Sequence, residues 1–178
     1  MKEAKILISG FGGQGIMSLG KILAKAALAE GRHTSWFPSY GAEMRGGTAH
    51  CFVKISNSVI SSPFIEYPDI AIIFNQPSLD KFKNNLREKS LLILNSDLIN
   101  NSFCPRNVNV VSFPLNKIAL KCGNLKVVNI IALGLLLKLE KSLLKENTII
   151  KVLKETFGQK EILETNLKAL KYAIEAVV

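Results

Sequence analysis

The sequence predicts a three-layer α/β/α domain around a mostly parallel sheet, on three observations. Residues 4–9 are a continuous apolar run of strand length and 69–74 a second candidate of that kind, the pattern of strands covered on both faces, with 90–95 and 108–113 as further strand candidates. Stretches with apolar residues at helical spacing are interleaved with these runs, so strand and helix alternate along the chain. The turn joining the first run to the first helix is Gly10-Phe11-Gly12-Gly13-Gln14-Gly15, whose glycines let the backbone turn tightly and approach a ligand or second chain closely.

In chain order, residues 4–9 form the first strand. Ile16, Leu19, Leu23, Ala26 and Ala27 then share one helical face up to Gly31, a C-terminal stop. Thr34-Ser35-Trp36-Phe37 reads as the second strand, halted by Pro38. Together these make a Rossmann-like β-α-β start with a glycine-rich turn and a right-handed parallel crossover. Residues 39–47 are a polar, glycine-rich loop. Residues 49–55 alternate and precede Asn57-Ser58, so they read as a hairpin with Val59-Ile60 as its short return. The run at 69–74 leads into a helix at 76–86, with Pro77 near its first turn. A polar connection, 96–107, separates the strands at 90–95 and 108–113. A long apolar helix at 125–139 follows. Two amphipathic helices end the chain, at 148–157 and 160–177, the latter with Ile162, Leu163, Leu167, Leu170, Ile174 and Val177 in phase.

With 178 residues, 48% hydrophobic and 21% charged, the chain suits one well-buried domain and is too short to suggest two. Its longest apolar stretch, 130–137, falls well short of the roughly 20 residues a membrane span needs. The N-terminus enters a strand pattern with no signal-peptide hydrophobic region, so a cytoplasmic protein with no membrane role is expected. Cys51, Cys104 and Cys122 are widely spaced, with no C-x-x-C and no nearby histidine, and read as reduced thiols rather than metal or iron–sulfur ligands. The net charge is +9, but the lysines of the C-terminal half are interleaved with glutamates as on solvated helix faces. No basic segment is interleaved with stacking aromatics, so no nucleic-acid partner is expected. His33 and His50 accompany no nucleophile motif such as G-x-S-x-G, and Cys51 faces away from His50 in an alternating strand. The chain therefore shows no self-contained catalytic apparatus.

Exposed N–H groups at a glycine-rich turn and the helix start behind it favour an anion such as phosphate. A dinucleotide site also needs an acidic residue at the end of the second strand, and Trp36-Phe37-Pro38-Ser39 carries none, which counts against NAD. Two readings of the turn stay open. The glycines let strand, helix and partner backbones come close, or Gln14 donates to a ligand or bridges to another chain. The loop Ser39-Tyr40-Gly41-Ala42-Glu43-Met44-Arg45-Gly46-Gly47-Thr48 sets an aromatic hydroxyl, a carboxylate and a guanidinium among glycines at the carboxyl end of a strand, where α/β domains bind ligands. Arg45 either forks onto phosphate or carboxylate, joins a partner chain, or pairs with Glu43 inside the loop.

The block from Ile6 to Ile16 and the block Pro38-Ser39-Tyr40-Gly41-Ala42-Glu43-Met44-Arg45-Gly46-Gly47-Thr48-Ala49 resemble the gamma subunit, or gamma domain, of 2-oxoacid:ferredoxin oxidoreductases (pyruvate/ketoisovalerate oxidoreductase type). Within that family they look most like the gamma subunit of 2-oxoglutarate (2-ketoglutarate) synthase. Asn75-Gln76-Pro77-Ser78-Leu79-Asp80-Lys81-Phe82 and Asn129-Ile130-Ile131-Ala132-Leu133-Gly134 are similar to its later blocks, so residues 1–178 correspond to a single gamma domain.

The resemblance implies a holoenzyme that oxidatively decarboxylates a 2-oxoacid with coenzyme A, giving acyl-CoA, carbon dioxide and reduced ferredoxin. Thiamine diphosphate, Mg2+ and iron–sulfur clusters would sit in alpha and beta subunits and a ferredoxin-like subunit, with ferredoxin as electron acceptor. This chain alone would bind no cofactor and be inactive, serving assembly and the coenzyme A site. Carried over are Gly10, Gly12, Gly13, Gln14, Gly15, Ser39, Tyr40, Gly41, Glu43, Arg45, Gly46 and Gly47, as interface or coenzyme-proximal positions rather than proton-transfer residues. Ala42 departs from the proline expected in that loop, which frees φ without losing a charged group. The alternative is a standalone nucleotide- or coenzyme A-binding Rossmann-like module, which would bind its ligand tightly without partners.

Overall fold

The computed structural model describes residues 3–39, 48–100 and 107–176. Six strands, β1 (Glu3–Gly10), β2 (His33–Ser39), β3 (Ala49–Ser56), β4 (Ile70–Ile73), β5 (Leu91–Asn95) and β6 (Asn109–Phe113), form one sheet in the order β2-β3-β1-β4-β5-β6. β1, β4, β5 and β6 pair in parallel, while β3 runs antiparallel to β1 and β2 on either side of it. The predicted three-layer, mostly parallel arrangement is therefore the one observed. Along the central strands Ile6, Ile8, Ile70, Ile72 and Ile93 face one layer, and Leu7, Ala71, Ile73, Leu92 and Leu94 the other. Burial on both faces leaves no position for a polar residue, which is why these strands read as unbroken apolar runs.

The two helical layers are unequal. Helices α1 (Ile16–Ala29), α3 (Leu115–Lys121), α4 (Val128–Leu139), α5 (Glu146–Thr156) and α6 (Lys160–Glu175) contribute to one core, while α2 (Gln76–Phe82) and a 3-10 turn at Lys83–Asn85 cover the other face. Every residue of α4 from Val128 to Leu137 is buried. At Gly134 the helix meets α6 so closely that an added Cβ would lie 2.6 Å from the Ala173 Cβ and 2.8 Å from the Leu170 carbonyl oxygen. Each Leu or Ile enclosed this way contributes about 1.5–3 kcal/mol, far more than helix propensity can.

Three local expectations are corrected. β3 does not return onto 59–60. It pairs on both sides, Val53 facing Ile6 in β1 and Trp36 in β2, so it has no edge left for a third strand. The chain turns away at Ser58, whose N–H donates to Ser56 Oγ at 3.1 Å, and Val59 is exposed. β2 continues through Pro38 to Ser39, because it is the edge strand of the sheet, where a missing N–H is tolerated. The sequence reading also passes over α3, whose Leu115, Ile118 and Ala119 repeat at helical spacing between Pro114 and the left-handed Gly123. Two helices open or close differently from expectation: α2 stops at Phe82, and a 3-10 turn, Leu125–Val127, precedes α4. No helix among the described residues is long and apolar enough to cross a membrane.

Candidate functional site at the carboxyl ends of the strands

β1 leaves the sheet at Gly10, and the chain enters α1 through the glycine-rich turn. Two kinds of constraint hold its glycines. Gly13 and Gly15 adopt left-handed φ values of 89° and 74°, and at Gly15 an added Cβ would also lie 2.5 Å from the Asn129 side-chain nitrogen. Gly10 is set by space alone, since a Cβ added there would lie 2.6 Å from Gln14 Oε1 and 2.9 Å from Phe74 Cβ. Gly12 obeys neither constraint. Its φ lies outside the left-handed range, and a Cβ there would meet nothing within 4 Å.

A row of uncharged amides ties this turn to the neighbouring strand ends. Gln14 Oε1 accepts from the Phe11 N–H at 2.7 Å and from Asn75 Nδ2 at 3.3 Å. Asn75 caps α2 by accepting from the Ser78 N–H at 3.0 Å. Asn95, closing β5, donates to the Phe74 carbonyl at 3.2 Å and to Asn116 Oδ1 at 3.0 Å. From behind, Asn129 of α4 donates to the Gly15 carbonyl at 3.2 Å. Asn75, Asn95 and Asn129 are buried, and their hydrogen bonds offset the cost of burying amides. Gln14 thus spends its oxygen inside the turn, while its Nε2 has no hydrogen bond to a described residue. α1 has no side-chain cap and no acidic residue in its first turn, so its leading N–H groups suit an anion or a carbonyl from outside.

Ser39, His50 and Ser9 stand in one row across β2, β3 and β1. The His50 ring centroid lies 4.9 Å from that of Phe82 and 5.5 Å from that of Phe52. Burial, and then the charge of Lys81, push its pKa down from 6.5 to about 4, so the ring is neutral at pH 7. Its Nδ1 is buried with no hydrogen-bond partner among the described residues. Cys51 faces the other layer, with Sγ donating to the Ile16 carbonyl at 3.6 Å, and burial pushes its thiol up to about 12. Burial also raises Cys122. Neither thiol is a nucleophile or thiolate ligand at neutral pH. Among the described residues no three His, Cys, Asp or Glu side chains converge as a metal-binding group.

Of the residues singled out from sequence, Gly10, Gly12, Gly13, Gln14, Gly15 and Ser39 come to this one end of the sheet. Tyr40, Gly41, Glu43, Arg45, Gly46 and Gly47 lie outside the described residues, as does Cys104. Sequence reasoning passes over Asn75, Asn95, Asn116 and Asn129 as individuals. A signal for two of them was present: Asn75 precedes Pro77 and Ser78 as a helix cap does, and Asn129 is a lone amide in an otherwise apolar helix.

Residues 5–176 match the family of pyruvate ferredoxin/flavodoxin oxidoreductases, and the chain belongs to that family of oxidoreductases. It is 39% identical over 174 residues to the ketoisovalerate oxidoreductase subunit VorA of Methanothermobacter thermautotrophicus, covering 97% of this chain and 36% of that protein. The chain thus spans about a third of the length of that relative. It is 36% identical over 146 residues to the 2-oxoglutarate synthase subunit KorC of Methanocaldococcus jannaschii, covering 80% of this chain and 78% of that one. Among solved structures, a 2-oxoglutarate:ferredoxin oxidoreductase chain from Magnetococcus marinus, with 2-oxoglutarate, coenzyme A and succinyl-CoA bound, is similar with a TM-score of 0.87 and 26% identity, over 98% of this chain and 31% of that chain.

Proposed function

We propose that this chain is the gamma subunit of a multi-subunit 2-oxoacid:ferredoxin oxidoreductase, with residues 1–178 as its single gamma domain. On this reading the assembled enzyme oxidatively decarboxylates a 2-oxoacid with coenzyme A to acyl-CoA and carbon dioxide, and passes the electrons to ferredoxin. Thiamine diphosphate, Mg2+ and the iron–sulfur clusters belong to alpha and beta subunits and a ferredoxin-like subunit. This chain contributes docking and positioning.

The observation that carries the reading is Gly12. Neither its backbone nor the packing of the described residues calls for a glycine there, whereas Gly10, Gly13 and Gly15 are all accounted for by them. A group from outside that approaches the backbone closely, either a partner chain or coenzyme A, explains it. The uncapped start of α1 and the Gln14 amide nitrogen are the groups that would hold a phosphate of the coenzyme, and the resemblance adds Ser39, Tyr40, Gly41, Glu43, Arg45, Gly46 and Gly47 as interface or coenzyme-proximal positions. Family membership supports the same reading, and disfavours a standalone nucleotide-binding module.

For the 2-oxoacid, the wording of the loop from Tyr40 to Thr48 favours 2-oxoglutarate, and the name of the VorA relative favours ketoisovalerate. Co-expression with candidate alpha and beta chains, with purification through a tag on this chain, tests the whole reading. Partners should co-purify carrying thiamine diphosphate and iron, and the complex should show coenzyme A-dependent oxidation of one of the two acids at least tenfold above the other. A lone chain that binds a nucleotide tightly would overturn the subunit reading.

A further inference from the structure

At the opposite ends of the strands lies a cleft of about 470 Å3 whose lining includes Lys5, Lys54, Arg87 and Lys89 together with Glu66, Asp69 and Glu88. Lys5 and Lys54 stand directly opposite each other in the β1–β3 register, so both project from the same face of the sheet. Like charges in that position are destabilising unless something else neutralises them. Lys5 is compensated by Glu3, which lies 4.0 Å from its ammonium. Lys54 is not. It is only 8% exposed, lies next to the buried Ile65 and Pro68 in the cleft lining, and makes no ion pair or side-chain hydrogen bond to any described residue. Of the three carboxylates lining the cleft, Asp69 accepts from the Lys5 N–H at 2.9 Å and Glu88 from Asn107 Nδ2 at 3.0 Å, and neither these nor Glu66 forms an ion pair with Lys54.

The rim of the cleft shows a second departure from the cheapest sequence. Lys89 adopts a left-handed φ of 67°, pinned by its N–H to the Asn107 carbonyl at 2.7 Å. A lysine there costs about 1 kcal/mol that glycine would avoid. Beside it the Arg87 guanidinium lies 3.2 Å from the Tyr67 ring centroid, which makes that wall of the cleft rigid and cationic.

We propose that this cleft binds the phosphate group of a small molecule, with the enclosed Lys54 at its floor and Lys5 and Lys89 beside it. The Lys54 stem is enclosed while its ammonium opens into the cleft, and an anion entering there meets a positive charge that no described side chain pairs. Lysine is a common phosphate ligand, acting as a point charge, and a phosphate offers three oxygens to three lysines where a carboxylate offers two.

The test is thermal unfolding of the full chain in inorganic pyrophosphate, against sodium chloride at matched ionic strength. Pyrophosphate should raise the Tm of the wild type by roughly 5 °C at about a hundred times its Kd. Lys54→Met keeps the buried volume and removes the charge. This variant should melt at or above the wild-type Tm without anion and show no pyrophosphate shift. Lys89→Ala, on the exposed rim, should fold normally and weaken the affinity about tenfold. Absence of a shift in the wild type overturns the proposal, as does an equal shift in chloride or an undiminished one in Lys54→Met. If Lys54→Met does not fold, an unchanged affinity in Lys89→Ala overturns it on its own.

Discussion

The two ends of the central strands solve the same problem, terminating a buried sheet, with opposite chemistry. At the carboxyl ends, glycines and the neutral amides of Gln14, Asn75, Asn95, Asn116 and Asn129 are linked by short directional hydrogen bonds. At the amino ends, lysines, an arginine and carboxylates crowd one cleft, and Lys54 makes no direct ion pair among the described residues. Directional bonds between neutral groups fix a shape that salt does not alter, and a fixed shape suits a neighbour that must approach a backbone closely. Charges in a cleft define a potential rather than a shape, and their contribution changes with ionic strength. One end is therefore built for fit and the other for charge.

The comparison breaks most visibly at Gly15. Gly15→Ala adds left-handed strain and drives a methyl into Asn129, and should cost about 3 kcal/mol in urea unfolding. A variant that unfolds like wild type would mean the amide row is not rigid. His50, in the same end of the sheet, sharpens the comparison through pH. Its folded pKa, about 4, lies below the unfolded 6.5, so the unfolded chain binds the proton first as pH falls. The stability is fully present above pH 6.5 and is lost between 6.5 and 4. Screening at a half-buried ring holds this to about 1 kcal/mol. His50→Leu should flatten that part of a stability–pH curve, and an unchanged slope would assign it to other groups. The smallest effect on stability belongs to Gly12→Ala, within about 0.5 kcal/mol of wild type. Its expected consequence is weaker co-purification with partner chains or a raised coenzyme A requirement, and an unaltered complex would remove the argument for outside contact at this turn.

The architecture was legible where burial dictates sequence. β1, β4 and β5 are covered on both faces and wrote themselves as apolar runs. The stripe expected on α6 was legible in part: Leu163, Leu167, Leu170 and Ile174 pack on the core, Ile162 is exposed, Val177 lies outside the described residues, and the buried Asn166, Ala169 and Ala173 went unread. What escaped reading depends on partners distant in sequence. Nothing local in 49–60 reveals that β3 inserts between β1 and β2, because that choice is made by residues far back along the chain in β1, from Gly10 opposite Ala49 to Glu3 opposite Ser56. α3 was hidden by its shortness, although Pro114 and Gly123 bracket it. At the candidate site the glycines announce themselves, since few residue types tolerate such turns. Asn95 and Asn116 do not, since an asparagine in a loop and one in a structural network look alike until the fold brings them to 3.0 Å.

The close crossing at Gly134 has a consequence in time. α4 is complete when residue 139 has been made, but the helix that seals its outer side spans Lys160–Glu175. At about 5–20 residues per second, a nascent chain carries this bare apolar rod for a few seconds before its cover arrives. During synthesis, the segment that becomes the best protected in the finished molecule is the one most in need of a chaperone.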